Sequence, residues 1–248
     1  MHDAHFHMTD ELFASMKMHR MMGIANAENK EEYARLQIQQ REYSFSVSVG
    51  VHPWHASMEA LTAMEPLLFD PAVGLIGEIG LDNVWCETDM DVQREVFTRQ
   101  LAIASKLKKP AILHTKGMEA EIASMISKYP NRYLVHWYSC TSHLLDYLDL
   151  DCYFTVGPSV GLDASVTRVA LEAPLERLLL ETDGISAVKW VAEAYPEALS
   201  IADAKKKCLH AQTLDRSLHV IAKLRGLDPK DLEARLDTNF KQFLSPFK

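Results

Sequence analysis

Cysteine is scarce in this chain. The four residues, Cys86, Cys140, Cys152 and Cys208, are scattered through 248 positions and form no Cys-x-x-Cys pair. That spacing argues against a thiolate zinc site and fits a reducing compartment. Long hydrophobic runs are also missing: no stretch approaches the roughly 18 apolar residues of a membrane span. No basic segment followed by an apolar run opens the chain, so the expectation is a cytoplasmic protein with no membrane partner. Positive charge is in deficit, with 26 Lys and Arg against 34 Asp and Glu and a formal net charge of −8. Proteins that follow long nucleic acids by neutralising many phosphates carry a basic face. The deficit therefore disfavours a long polyanion track, while a strand end or a small phosphoester remains open as substrate. No GxGxxG or GxxxxGK[ST] loop follows the first apolar run, which weakens a nucleotide-binding open sheet. Repeats, low-complexity linkers and composition breaks are absent too, so residues 1–248 read as one domain.

What is present is a rhythm. Short apolar runs at 3–8, 44–52, 73–82, 110–115, 132–137, 151–157 and 177–183 alternate with longer amphipathic stretches. Several runs are nearly continuous in Val, Ile and Leu, as in parallel strands buried on both faces. Between two of them, Val92, Val96, Ile103 and Leu107 recur at helical steps; Asp89 or Asp91 can cap that helix, and Pro110 marks the next element. The segment LEARLDTNFKQFL near the end also reads as a helix. Strand–helix alternation in one domain implies a parallel sheet with right-handed crossovers. The predicted fold class is α/β, a (β/α)8 TIM-type barrel. Only seven strands can be placed, so the eighth is weak or missing and the barrel is expected to be distorted; an open doubly wound sheet is the alternative.

The polar residues carry the functional signal. His5 and His7 end the first run, and their i, i+2 spacing puts both imidazoles on one face of a strand. His52 ends the second run, Glu78 and Asp82 the third, His114 the fourth, His136 the fifth and Asp183 the last. The carboxyl ends of barrel strands are where barrel active sites sit. Buried carboxylates such as Glu78 and Asp183 need cations or donors beside them, and divalent metal supplies a cation to both. Four histidines and two carboxylates exceed the needs of one open zinc site and suit a pair of ions sharing a bridging carboxylate. The donor mixture fits zinc, manganese or cobalt better than an all-magnesium site.

DAHFHM, GVHPW, GEIGLD, ILHT, VHW and LLLETD, in that order, together with the late Asn239-Phe240-x-x-Phe243, resemble the TatD-related metal-dependent hydrolases of the amidohydrolase superfamily. The resemblance spans nearly the whole chain. It implies a barrel with a one- or two-metal centre and deoxyribonuclease activity. It assigns His5, His7, Glu78 and Asp183 to one metal and His114 and His136 to the other, with Glu78 bridging and Asp183 orienting or deprotonating the attacking water. Glu78 and Asp183 are thus the catalytic candidates, and a DNA end is the implied partner. The rival substrate class is a small amide, lactone or phosphoester of the same superfamily; a third reading is a non-catalytic metal-binding protein.

The departures from the family pattern lie in the loops. Lys116 stands where the family has Arg, so a planar two-toothed phosphate contact becomes a point charge. Gly184-Ile185-Ser186 replaces the usual Ala-Pro-Tyr, Trp137-Tyr138-Ser139-Cys140 replaces a Phe-Ser-Gly run, and Asn83-Val84-Trp85 follows GEIGLD. His52 and Lys116 are the expected substrate contacts; for Lys116, a carboxylated metal-bridging role is the minor alternative. Trp54 and His55 line the mouth, or Pro53-Trp54 forms a packed turn. Asp82 is expected to be a partner of a ligand rather than a ligand. Cys86 and Cys140 are read as inert, and Lys205-Lys206-Lys207 as a solvated helix face. His143, His210 and His219 are placed in helices and given no chemistry.

Overall fold

Each apolar run does become a strand. In the computed structural model, which describes residues 1–196 and 209–247, the order is β1 (His2–His7), α1 (Asp10–His19), β2 (Met22–Ala27), α2 (Lys30–Gln40), β3 (Ser46–Val49), α3 (Met58–Phe69), β4 (Leu75–Asp82), α4 (Met90–Leu107), β5 (Ala111–Lys116) and α5 (Glu119–Ile126). There follow β6 (Tyr133–Val135), α6 (Leu144–Asp149), β7 (Tyr153–Val156), α7 (Ala164–Glu172), β8 (Leu178–Leu180), α8 (Ile185–Ala194), α9 (Leu209–Arg225) and α10 (Pro229–Leu244). The eight strands pair in sequence order, all parallel, in a nearly closed TIM-type barrel.

The strand that could not be placed is β2, sequence MGIANA. Its Gly, Ala and Asn residues carry weak strand propensity, and smallness is what the site demands: a Cβ on Gly23 would sit 2.6 Å from the Phe6 ring. Ala25 and Ala27 are fully buried against neighbouring strands. Packing, not propensity, makes β2.

Caps set the helix starts. Asp89, one of the two expected caps, accepts from the amides of Asp91 and Val92, and Thr9 accepts from Leu12 N. Val96 and Ile103 of α4 are buried, Val92 and Leu107 partly so. Two glutamines share that buried face. Gln100 exchanges hydrogen bonds with the N–H and C=O of Val51, and Gln93 does so with those of Asp82. The helix thereby pins the chain at the mouth ends of β3 and β4.

Two apolar layers hold the barrel. A larger one fills the space between strands and helices; a smaller one, with Ala4, Ile24, Ile112, Leu134 and Leu179, is closed by Phe240 and Phe243 of α10. Asn239 donates to the carbonyls of Leu175 and Leu178 (2.7 and 3.0 Å), fixing the start of β8, and Phe240 stacks on His2 with ring centres 4.7 Å apart. The Asn-Phe-x-x-Phe signature is thus the bottom plug. At the seam between β1 and β8, side chains carry much of the join. Leu180 N donates to His2 Nε2, Thr182 N to Asp3 Oδ1, and Asp183 N to the His5 carbonyl. No helix among the described residues is long and apolar enough to cross a membrane.

Candidate metal centre

The strands do not end uniformly at the mouth. β1 steps out of register between Asp3 and Phe6, and β4 between Ile76 and Ile79. These irregularities flank His5 and Glu78, and such bulges re-aim side chains. Glu78 sits halfway along β4 rather than at its end. His52, His136 and Asp183 lie just beyond β3, β6 and β8. Asp183 takes a left-handed backbone, φ 59°, as the chain turns into α8.

All six predicted ligands converge on Glu78 or its neighbours. Glu78 Oε1 lies 2.8 Å from His136 Nε2 and 2.9 Å from His114 Nδ1. Its other oxygen lies 3.3 Å from His5 Nε2 and 3.7 Å from His7 Nε2. Asp183 Oδ1 faces the same two nitrogens at 3.5 and 3.6 Å. One carboxylate thus divides four imidazoles into two groups. His5 is fully buried, yet neither of its ring nitrogens has a hydrogen-bond partner. Burial by itself would lower the His5 imidazole, but the charges of Glu78 and Asp183 overcome burial and push it up to about 9. The pocket calls for positive charge at that nitrogen, and a divalent cation between imidazole and carboxylates meets the demand. The donor set and the unpartnered nitrogen both fit a metal.

The neighbours select which nitrogen faces the centre. Asp82 accepts four hydrogen bonds: Trp54 Nε1 (2.7 Å) and His114 Nε2 (3.0 Å) on one oxygen, the amides of Val84 and Trp85 on the other. Burial opposes its ionisation, but these donors hold the carboxyl well below the usual range. An ionised Asp82 keeps the proton on His114 Nε2 and leaves Nδ1 as the electron pair facing Glu78. His52 is set the other way. Its Nδ1 accepts from Trp54 N, so Nε2–H is a donor aimed at the centre, 3.3 Å from His114 Nδ1 and 3.7 Å from Glu78. Lys116 Nζ, also at the mouth, donates to Ser139 Oγ at 2.7 Å and lies 4.1 Å from the Trp85 ring centre. Burial lowers its ammonium from the ordinary value.

Two carboxylates here were not foreseen. Glu28 follows β2 and lies 3.6 Å from His7 Nδ1 and 3.5 Å from His55 Nε2; it was hidden because its strand was. Glu181 is fully buried with neither carboxylate oxygen hydrogen-bonded, Oε2 lying 3.4 Å from His136 Nδ1, and burial raises its carboxyl above the usual range. Its signal was legible, since Glu181 and Asp183 are two residues apart as His5 and His7 are.

Other expectations meet mixed outcomes. Pro53–His55 is a 3-10 turn whose proline is buried while Trp54 and His55 face the cavity, so both readings of that segment hold. Cys86, Cys140 and Cys152 are free thiols. His219 lies in α9, but His143 precedes α6 as its left-handed N-cap, a correction that Asp146 explains by holding Nδ1 at 3.0 Å. His210, in α9, has a structural role, bridging Asp3 Oδ2 (2.8 Å) and Ser15 Oγ (2.9 Å) in the buried core. Lys205-Lys206-Lys207 and Cys208 lie outside the described residues.

A model of the TatD-related DNase family matches residues 2–245. The chain belongs to that family. Among curated relatives, the 3'-5' ssDNA/RNA exonuclease TatD of Rahnella is 27% identical over 237 residues, covering 89% of this chain and 84% of its own. The 3'-5' RNA nuclease TATDN2 of Homo sapiens is 32% identical over 148 residues, 54% of this chain and 19% of that protein. In structure, a TatD homologue from Escherichia coli K12, YJJV, superposes with a TM-score of 0.78 at 22% identity, covering 98% and 97% of the two chains. That likeness establishes the barrel. Family membership and the clustered His, Glu and Asp donors place the chain among metal-dependent hydrolases of the TatD type that use divalent metal.

Proposed function

We propose that this TatD-type barrel hydrolyses phosphodiester bonds at the end of a DNA or RNA strand. The observation that carries the reading is Glu78, with two imidazoles held against each of its oxygens and Asp183 beside one pair. In this reading His5, His7, Glu78 and Asp183 hold one divalent ion, and His114 and His136 share Glu78 around a second. Zinc, manganese or cobalt suits the nitrogen and oxygen donors best. When bound, such ions lower the pKa of water and neutralise charge on phosphoryl oxygens.

The chain's own residues do the rest. Burial opposes ionisation of Asp183, but His5 Nε2 beside it at 3.5 Å and the charges of the surrounding imidazoles keep its carboxyl low. It is therefore ready to accept a proton from water at the mouth of the barrel. His52 Nε2–H and Lys116 Nζ donate to phosphate oxygens, and Asp82 keeps His114 in the tautomer described above. The names of the Rahnella and human relatives, both nucleases, favour a nucleic acid over a small amide.

The test is cleavage of end-labelled single-stranded DNA and RNA at low salt with Mg²⁺, Mn²⁺, Co²⁺ or Zn²⁺, comparing wild type with Asp183→Asn. Cleavage that disappears in the variant is the expected result. Failure of metal-loaded wild type to cleave either strand overturns the reading and turns the search to small amides, lactones and phosphoesters.

A further inference from the structure

Every tryptophan in the chain lies at one place. Trp54, Trp85, Trp137 and Trp190 are the four in the sequence, and all four line the cavity of about 860 Å³ above the metal centre. Three of them are 44–57% exposed. Indole that faces solvent forgoes the burial that makes it valuable in a core, so its concentration at one mouth calls for a ligand.

The rings are held, not loose. Trp54 Nε1 donates to Asp82, and Trp137 Nε1 donates to Ser159 Oγ at 3.2 Å. A Cβ on Gly157 would come within 2.9 Å of the Trp137 ring, so that glycine admits the indole against the backbone. Lys116 fixes one face of Trp85, and Trp190 meets Trp137 edge to face with ring centres 6.2 Å apart. The strand order divides them. Trp54 and Trp85 follow β3 and β4, whereas Trp137 and Trp190 follow β6 and β8. Glu78 and Asp183 line the same cavity as both pairs.

Charge points the same way. The chain carries a net −8, and Lys116 is the one lysine or arginine among the described residues that line the cavity. A strand held there cannot rely on a row of phosphate contacts. Stacking on aromatic faces is sequence-tolerant and needs unpaired bases, because paired bases have their faces covered.

We infer that the four tryptophans form two nucleobase-stacking platforms at the mouth of the metal centre. One base rests on the Trp54–Trp85 side, another on the Trp137–Trp190 side, and the phosphodiester between them lies over Glu78 and Asp183. This rests on the phosphodiesterase reading for its placement, but the stacking is separately measurable.

The experiment titrates metal-loaded protein with a phosphorothioate-linked oligothymidine and with the same backbone carrying abasic sugars, following tryptophan emission. Cleavage of the ordinary oligonucleotide is followed in parallel. The expected result is quenching by the base-bearing strand only, weakened about tenfold in Trp85→Leu or Trp190→Leu. Binding should also vary little with salt, with a log–log slope near about −0.7, as one lysine contact requires. Equal binding of both strands, or unchanged affinity in both variants, overturns the platforms even if DNA is cleaved. Base-dependent quenching without cleavage keeps the platforms and overturns the phosphodiesterase reading instead.

Discussion

Asp82 Oδ2 accepts the Nε2–H of His114 at 3.0 Å, and through that one bond it dictates which lone pair of His114 meets Glu78. The carboxylate never faces the centre itself. Replacing it by Ala frees His114 to change tautomer and removes the anchor of Trp54. Partners of this kind typically hold 10- to 100-fold in metal affinity, so Asp82→Ala should lose about that factor, read by metal titration with a competing chelator. Unchanged affinity would show that the Asp82 bond does not set the tautomer.

Asp183→Asn should abolish turnover without unfolding the barrel. Loss of a positioned base costs about 10²–10⁴-fold in rate. Parallel thermal unfolding should show the fold retained, and a variant that turns over at the wild-type rate would remove Asp183 from the proton-accepting role. Glu78→Gln should instead lower the metal that survives dialysis, measured by elemental analysis.

Gly184, where the family pattern has Ala, has φ 91°, and a Cβ there would lie 2.9 Å from the His7 carbonyl oxygen. Gly184→Ala should cost about 1–3 kcal/mol of stability and displace His7 from Asp183. Metal content and unfolding temperature should fall together. A variant that keeps both would mean the loop after β8 yields without cost.

Stability should also fall in mild acid through the bottom of the barrel. His2 is fully buried; burial lowers its imidazole below the ordinary value and outweighs Asp237, whose Oδ1 receives Nδ1–H at 2.8 Å. The unfolded chain takes up a proton near pH 6.5 that folded His2 takes up only at lower pH. The contribution is therefore present above about pH 6.5 and is lost as pH falls toward the folded value. Asp237, held low by His2 and the terminal amine against the effect of burial, adds a second loss below about pH 4. Unfolding temperature measured from pH 8 to 3 should fall in these two windows, the upper one disappearing in His2→Gln.

Asn239→Ala removes the side-chain donor that the Leu175 and Leu178 carbonyls share at the start of β8. About 1–3 kcal/mol should be lost, visible as a lower midpoint in urea, because the change lies far from the mouth and acts on the strand that carries Asp183.

Much of this site was legible because candidate metal ligands at strand ends stand out against apolar runs. His5, His7, His114 and His136 each close such a run, and the resemblance sorted them into two groups. What stayed hidden was carried by packing. β2 is made of small residues whose strand character comes from the space beside Phe6, so Glu28 vanished with it. Gln93 and Gln100 lie seven residues apart on the buried face of α4, a polar interruption that periodicity alone reads as noise. Glu181 was overlooked beside a more obvious neighbour in the same motif. The register step beside Glu78 is one that no spacing rule contains.

The seam between β1 and β8 also bears on when the cluster around Glu78 is completed during synthesis. His5 and His7 leave the ribosome well before Asp183 and the Asn239 anchor. A growing chain holds every imidazole of the centre long before it holds the carboxylate that completes it. The cluster around Glu78 is thus completed only after Asp183 has been made, when β8 can close against β1.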